Sequence, residues 1–261
     1  MTASGGGLHP AARVGFQRAA EAYRRGRPDY PVEAVGFLAE VLELSPGRTV
    51  LDLGAGTGKL SRLLVPFGVR ILAVEPVDAM REALAAALPG VRVAAARAEA
   101  IPLADGSVDA AVVAQAFHWF DGPAALQELH RVLRPQRRLA LAWNVRDDEG
   151  SAFWAGITEL MAPYRGDTPS HRSPEWRLAF EQSDQFTPLE TRSFAYEHAT
   201  FREGAIDRIL STSFVAALPE EERAGISRRV RDLLDADPAI GPGTEEFVLP
   251  YRTDIQWCTR R

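Results

Sequence analysis

Cysteine is almost absent from this 261-residue chain: Cys258 stands alone. No internal disulfide can form, a thiolate metal cluster is excluded, and the lone thiol reads as a bystander in a strand. Histidine is nearly as sparse. His9, His118, His130, His171 and His198 are scattered, so no metal site is expected. No apolar run approaches the roughly 18 residues of a membrane span. The opening MTASGGGLHPAARVGF lacks the long apolar core and cleavage pattern of a signal peptide. The expected location is therefore the cytoplasm, with no membrane partner, and residues 1–12 read as a mobile tail. An excess of positive charge is missing too: 30 basic against 35 acidic side chains leave a net charge of −5. That balance carries no general footprint for nucleic acid. With 46% apolar and 25% charged residues, the chain has material for one large domain, or for one domain with an insertion.

What is present is an alternation. RTVLDL, VRILAVE, VRVAAAR, VDAAVVAQ and RRLALAW read as five strands, apolar on both faces and so buried on both. Helical patterns lie between them over Lys59–Phe67, Asp78–Leu88 and Pro123–Leu133. Strand–helix alternation at this spacing predicts a parallel sheet with right-handed crossovers, covered by helices on both faces. Two helices precede the first strand, AARVGFQRAAEAYRR and VEAVGFLAEVLEL, separated by the prolines of GRPDYP. After residue 150 the pattern loosens. PLETRSFAYEHA reads as a strand, FREGAIDRILSTSFVAAL and PEEERAGISRRVRDLLDAD as helices, and EEFVLPYRTDIQWCTR as a last strand. Pro250 makes that strand broken or edge-located, since proline cannot donate a ladder hydrogen bond. The second half thus supplies a sixth and a seventh strand of the same sheet, with a helical insertion between them.

The most informative stretch is VLDLGAGTGKL at the end of the first strand. A phosphate-binding P-loop would need glycine at Leu53 and a hydroxyl at Leu60, and has neither. A dinucleotide fingerprint fits Gly54 and Gly56 but meets Lys59 where a small residue is wanted, which weakens an oxidoreductase reading. What remains is an acid before a glycine turn. The glycines let a ligand approach the backbone, the following helix start suits a carboxylate, and Asp52 suits an ammonium. Those two groups together describe an amino acid. The next strand ends on Glu75, where an acid accepts hydrogen bonds from a ribose diol. A ligand with a ribose and an amino-acid end is S-adenosylmethionine.

VLDLGAGTGKLSRLL, AVEPVDAMREAL, ARAEAIPLADGSVDAAVVAQAFHWFD and ELHRVLRPQRRLALAW resemble, in order, the motifs of class I S-adenosylmethionine-dependent methyltransferases. The resemblance covers about residues 15–145, and YRRGRPDYP and AQAFHWFD are similar to a subgroup of trans-aconitate-type and related small-molecule methyltransferases. It implies a Rossmann-like α/β fold of seven strands in the order 3-2-1-4-5-7-6, the last antiparallel. It also implies a core over 13–145, with 146–261 adding the remaining strands and a helical cap over an acceptor pocket. Asp52, Gly54, Ala55 and Gly56 would hold the methionine part of the cofactor and Glu75 the ribose. Pro76 and Val77 would flank the adenine, and Ala98 and Glu99 lie beside the ring. Gln115 and Ala116 would touch the methionine end. Tyr23, and with it Arg27 and Tyr30, would form a lid.

One observation stands apart from the resemblance: all four segments fall just past the carboxyl ends of expected strands, where open α/β sheets bind ligands. His118 is a candidate general base if the acceptor is a hydroxyl. Trp119 is a candidate cation–π partner for a sulfonium, worth about 0.5–2 kcal/mol. Arg24, Arg25 and Arg27 would favour an acidic acceptor, whereas Phe153, Trp154, Trp176 and Phe214 would line an apolar pocket; Arg172 and Trp176 have no assigned element. The expected activity is methyl transfer to a small-molecule acceptor, without metal, by a monomer or homodimer. A regulatory protein that binds the cofactor without turnover is the main alternative.

Overall fold

A computed structural model describes residues 26–261. The expected tail, the first helix and Tyr23, Arg24 and Arg25 lie outside the described residues. A seven-stranded sheet organises the rest: β1 (Thr49–Leu53), β2 (Arg70–Val74), β3 (Arg92–Ala94), β4 (Val108–Ala114), β5 (Leu133–Arg146), β6 (Glu190–Phe201) and β7 (Glu246–Thr259). Their spatial order is 3-2-1-4-5-7-6. The first five strands pair in parallel, and β7 runs antiparallel to both β5 and β6.

Period-2 alternation sends successive apolar residues of the central strands to opposite faces, each covered by helices. Val50, Ala110, Val112, Ala140 and Ala142 face helices α1 (Val32–Val41) and α2 (Lys59–Leu64), packing on Leu38 and Leu64. Leu51, Leu53, Ala111, Val113, Leu139 and Leu141 face the other way, onto Leu126 and Leu129 of α4 (Gly122–Val132) and the Trp176–Phe180 turn of α6 (Glu175–Glu181). The α3 helix (Asp78–Ala87) covers the β2–β3 end. Asp121 caps α4 by accepting from the Ala124 N–H at 3.2 Å. Cys258 is buried in β7, and burial raises its thiol to about 12.

Three expectations change. The last strand is continuous and interior, because Pro250 lies one residue beyond the last β5–β7 pair, Arg146↔Tyr251, where β7 has outrun its inner neighbour. The single helix expected over 201–218 divides into α7 (Arg202–Leu210) and α8 (Ser213–Ala216). Ser211 turns its hydroxyl onto the Arg208 carbonyl at 3.1 Å, competing with the helical ladder. Two helices were not foreseen, α5 (Ala152–Arg165) and α6. Together α5, α7, α8 and α9 (Glu220–Ala236) form a separate apolar cluster with Leu249 and Tyr251 of β7, beside the carboxyl edge of the sheet. Among the described residues no helix is long and apolar enough to cross a membrane.

Candidate active site

The loops after β1, β2, β3 and β4 converge on one cleft of about 770 Å³. Gly54, Gly56, Glu75, Pro76, Ala98, Glu99, Gln115 and Ala116 all line it. Ala55 turns to a smaller cavity on the other side of the glycine loop, beside Arg27 and Tyr30.

Each wall has a local cause. Gly54 has φ +70°, and a Cβ there would lie 2.7 Å from the Ala116 Cβ, so glycine is what lets the β1 and β4 loops touch. Gly56, at φ +56°, would meet nothing within 4 Å: its missing side chain leaves room in the cleft. The Glu75 carboxylate joins two walls. Its Oε2 accepts from the Gly56 N–H and its Oε1 from the Val77 N–H, each at 2.9 Å. Burial raises its pKa, while those two backbone bonds oppose the rise. A carboxylate has about four acceptor sites, so lone pairs remain for a ligand. Glu99 is similarly tied, accepting from the Asp121 N–H at 2.9 Å and from Arg97 Nε at 3.0 Å. Val77 and Met80, both nearly inaccessible, supply an apolar floor.

Asp52 is not on the cleft wall. It is fully buried behind the glycine loop, where the Ser61 hydroxyl donates to its Oδ2 at 2.6 Å and its Oδ1 has no partner. Burial lifts its pKa from 3.8 to about 6, against the lowering effect of Ser61. The folded state therefore binds this proton more tightly than the unfolded chain, so this group's contribution to stability falls as pH rises from about 4 to about 6. The expected result is that Asp52→Asn gains on the wild type between pH 4 and pH 7, by about 3 kcal/mol at one pKa unit per 1.36 kcal/mol. Urea unfolding at the two pH values measures it, and a constant difference between variant and wild type would contradict it.

A second cavity of about 880 Å³ opens beneath the helical cap and shares Gln115 and Trp119 with the cleft. Gln115 holds φ +59°, a conformation uncommon for a non-glycine residue. It is pinned by its N–H to the Ala142 carbonyl at 2.9 Å and its Nε2 to the Asn144 carbonyl at 3.2 Å. His118 faces this second chamber, its ring 5.0 Å from Trp119 and 5.5 Å from Trp143. Burial, with His171 and Arg27 adding repulsion, drops its pKa to about 3. It is neutral at physiological pH and a weak base.

Of the residues expected to make an apolar pocket, only Phe214 lines the chamber. Phe153 and Trp154 lie in the cap's core and Trp176 in the sheet's core, because burying those rings is what holds each helix in place. Arg172 does line the chamber. Arg27 and Tyr30 belong to a segment strapped over the loop edge: Lys59 Nζ donates to the Arg27 carbonyl at 2.7 Å, and Tyr196 Oη to the Asp29 carbonyl at 3.2 Å. Asn144, Arg146, Arg165 and Arg208 also line the chamber and were not foreseen. Arg146, one strand-end beyond RRLALAW on the same sheet edge, was within reach of sequence reasoning; Arg208 carried no signal.

Comparison with known proteins finds a methyltransferase-domain family model matching residues 51–141. An uncharacterized methyltransferase of Mycobacterium tuberculosis is 38% identical over 240 residues, 92% of this chain and 93% of the relative. A methyltransferase-like protein of Schizosaccharomyces pombe is 33% identical over 233 residues, 88% of this chain and 90% of that one. A solved structure from Anaeromyxobacter dehalogenans, described as a type II methyltransferase, aligns with a TM-score of 0.63 at 28% identity, covering 90% of this chain and 97% of that chain.

Proposed function

The chain belongs to the class I S-adenosylmethionine-dependent methyltransferases, and from that premise we propose that it methylates a small-molecule acceptor held beneath the helical cap. The observation that carries this reading is the shared wall: the cleft of Gly54, Gly56 and Glu75 and the chamber of the cap meet at Gln115 and Trp119. A cofactor in the first cavity would present its reactive end to an acceptor in the second.

The residues present fit the cofactor. Gly56 leaves open space where a side chain would stand, and Glu75 keeps acceptor capacity for a ribose diol. Val77, Met80 and Ala98 give an apolar slot for the adenine. Asp52 contributes from behind, by fixing Ser61 at the start of α2, and not by touching the ligand. S-adenosylmethionine, when bound, supplies an electrophilic methyl group on a sulfonium. The chain's own residues orient the partners and exclude water, and well-oriented reactants can account for about 7–11 kcal/mol of barrier. Residues 13–145 would hold the cofactor, while 146–261 complete the sheet and build the cap.

His118 does not act as a general base in this reading. A group that ionises near 3 is far from the operating pH at which proton abstraction is efficient. Its place is to position the acceptor, and the acceptor atom must bring its own lone pair. Calorimetry with S-adenosylhomocysteine tests the cofactor assignment, with one site expected per chain. Absence of binding would overturn it, and chromatographic detection of S-adenosylhomocysteine formed over an acceptor panel separates turnover from binding alone.

A further inference from the structure

We propose that Arg208, carried by the cap helix α7, holds the carboxylate at the amino-acid end of the cofactor, so that the cap completes the cofactor site as well as the acceptor chamber; this rests on the methyltransferase reading above. Gly54, Gly56, Ala114 and Gln115 line the large cleft, and the same residues line the smaller cavity of about 530 Å³ on the other side of the glycine loop. A ligand with its adenine beside Val77 and its sulfur at Gln115 therefore continues into that smaller cavity. What S-adenosylmethionine carries there is an ammonium and a carboxylate. Arg208 lines the smaller cavity and the acceptor chamber alike.

No Asp or Glu lines the smaller cavity among the described residues. Lys59, on its wall, is already engaged: its Nζ donates to the Arg27 carbonyl at 2.7 Å and lies 3.1 Å from the Asp29 carboxylate. Arg208 is held far more loosely. One of its terminal nitrogens reaches the Thr212 hydroxyl only at 3.4 Å, and its Nε is buried without a hydrogen-bond partner. Thr57 lines the same cavity, is 6% exposed, and has a buried hydroxyl that also lacks a partner. Buried polar groups in folded proteins are normally satisfied, and one left open costs free energy. A buried guanidinium Nε and a buried hydroxyl open to one cavity both suit an anion with two oxygens, and the guanidinium fork matches a carboxylate bidentately. The neighbours feel the charge on Arg208: after burial, it is what lowers the pKa of Arg146 to about 10. The backbone around Arg208 is fixed from the other side. A Cβ on Gly26 would run into the Arg208 backbone N and Cα, so glycine is what lets the segment edging the glycine loop lie flat against α7.

Three ligands isolate the carboxylate: S-adenosylhomocysteine, its decarboxylated analogue, which keeps the amine, and methylthioadenosine, which has neither group. Each is titrated by calorimetry into the full chain and into Arg208→Gln. The substitution should weaken S-adenosylhomocysteine about thirtyfold, as loss of a charge-assisted hydrogen bond does. The two ligands without a carboxylate should bind the variant as they bind the wild type. Arg208→Lys keeps the charge but not the fork, so its loss should be smaller and should again fall on S-adenosylhomocysteine alone; it decides the matter if Arg208→Gln does not fold. Unchanged S-adenosylhomocysteine affinity in a folded variant overturns the proposal. An equal loss for all three ligands overturns it too, since Arg208 would then only prop the cap. Failure of all three to bind the wild type would instead overturn the cofactor reading on which the proposal rests.

Discussion

Glu75→Ala is expected to weaken S-adenosylhomocysteine binding by about a hundredfold. The carboxylate faces the cleft with acceptor sites left over after its bonds from the Gly56 and Val77 N–H groups. A hydrogen bond to a charged group contributes about 1.5–3 kcal/mol. Losing a ribose diol's contact would therefore cost about 3 kcal/mol, which is about two decades in affinity. The substitution also strips two backbone N–H groups of their partner, so an unfolding loss of about 1–3 kcal/mol should accompany it. Glu75→Gln separates the two effects. It keeps the size and one acceptor oxygen but turns an NH2 group toward one of the donors, so both losses should be intermediate. Calorimetry and urea unfolding on the same preparations measure them. Wild-type affinity in a folded Glu75→Ala protein would remove the ribose from this residue.

The second large effect is a contrast between neighbouring glycines. Gly54→Ala places a methyl group 2.7 Å from the Ala116 Cβ at φ +70°. The left-handed conformation alone costs about 1–2 kcal/mol for a residue with a Cβ, and overpacking adds about 1–3 kcal/mol. Gly56→Ala has a similar φ of +56° but open space around the new atom, so only the conformational cost applies to folding. Gly54→Ala should therefore lose roughly twice the unfolding free energy that Gly56→Ala loses. The order reverses for the ligand when expressed per unit of stability lost. The Gly56 methyl would occupy cleft space and block S-adenosylhomocysteine in a protein that remains well folded. Equal stability losses would show that the β1 and β4 loops can move apart.

The central strands β1 and β4 were readable because both their faces are buried, which makes RTVLDL and VDAAVVAQ apolar through the strand apart from Thr49, Asp52 and Asp109; β3, expected to be buried on both faces as well, has no buried residue. The α5 helix carried a legible signal that went unused. Ser151 precedes it and caps the Trp154 N–H at 3.3 Å, and Phe153, Ile157, Leu160 and Met161 repeat at helical spacing. Pro163 inside the helix masks that pattern. The cleft was legible because glycines and acids at strand ends have few other uses. An acid before a glycine turn reads alike whether it faces the ligand or the loop's interior, and Asp52 is buried behind the loop. The chamber was less legible. Arg208 sits on a cap helix and Asn144 at the end of β5, and only folding brings them to one wall with Gln115.

The most direct measurement is a crystal structure of the chain with S-adenosylhomocysteine. The adenine should lie between Val77 and Ala98, the ribose hydroxyls on Glu75, and the sulfur beside Gln115, facing the arginine chamber. A ligand seated in that chamber, or one whose sulfur points away from it, would contradict the account.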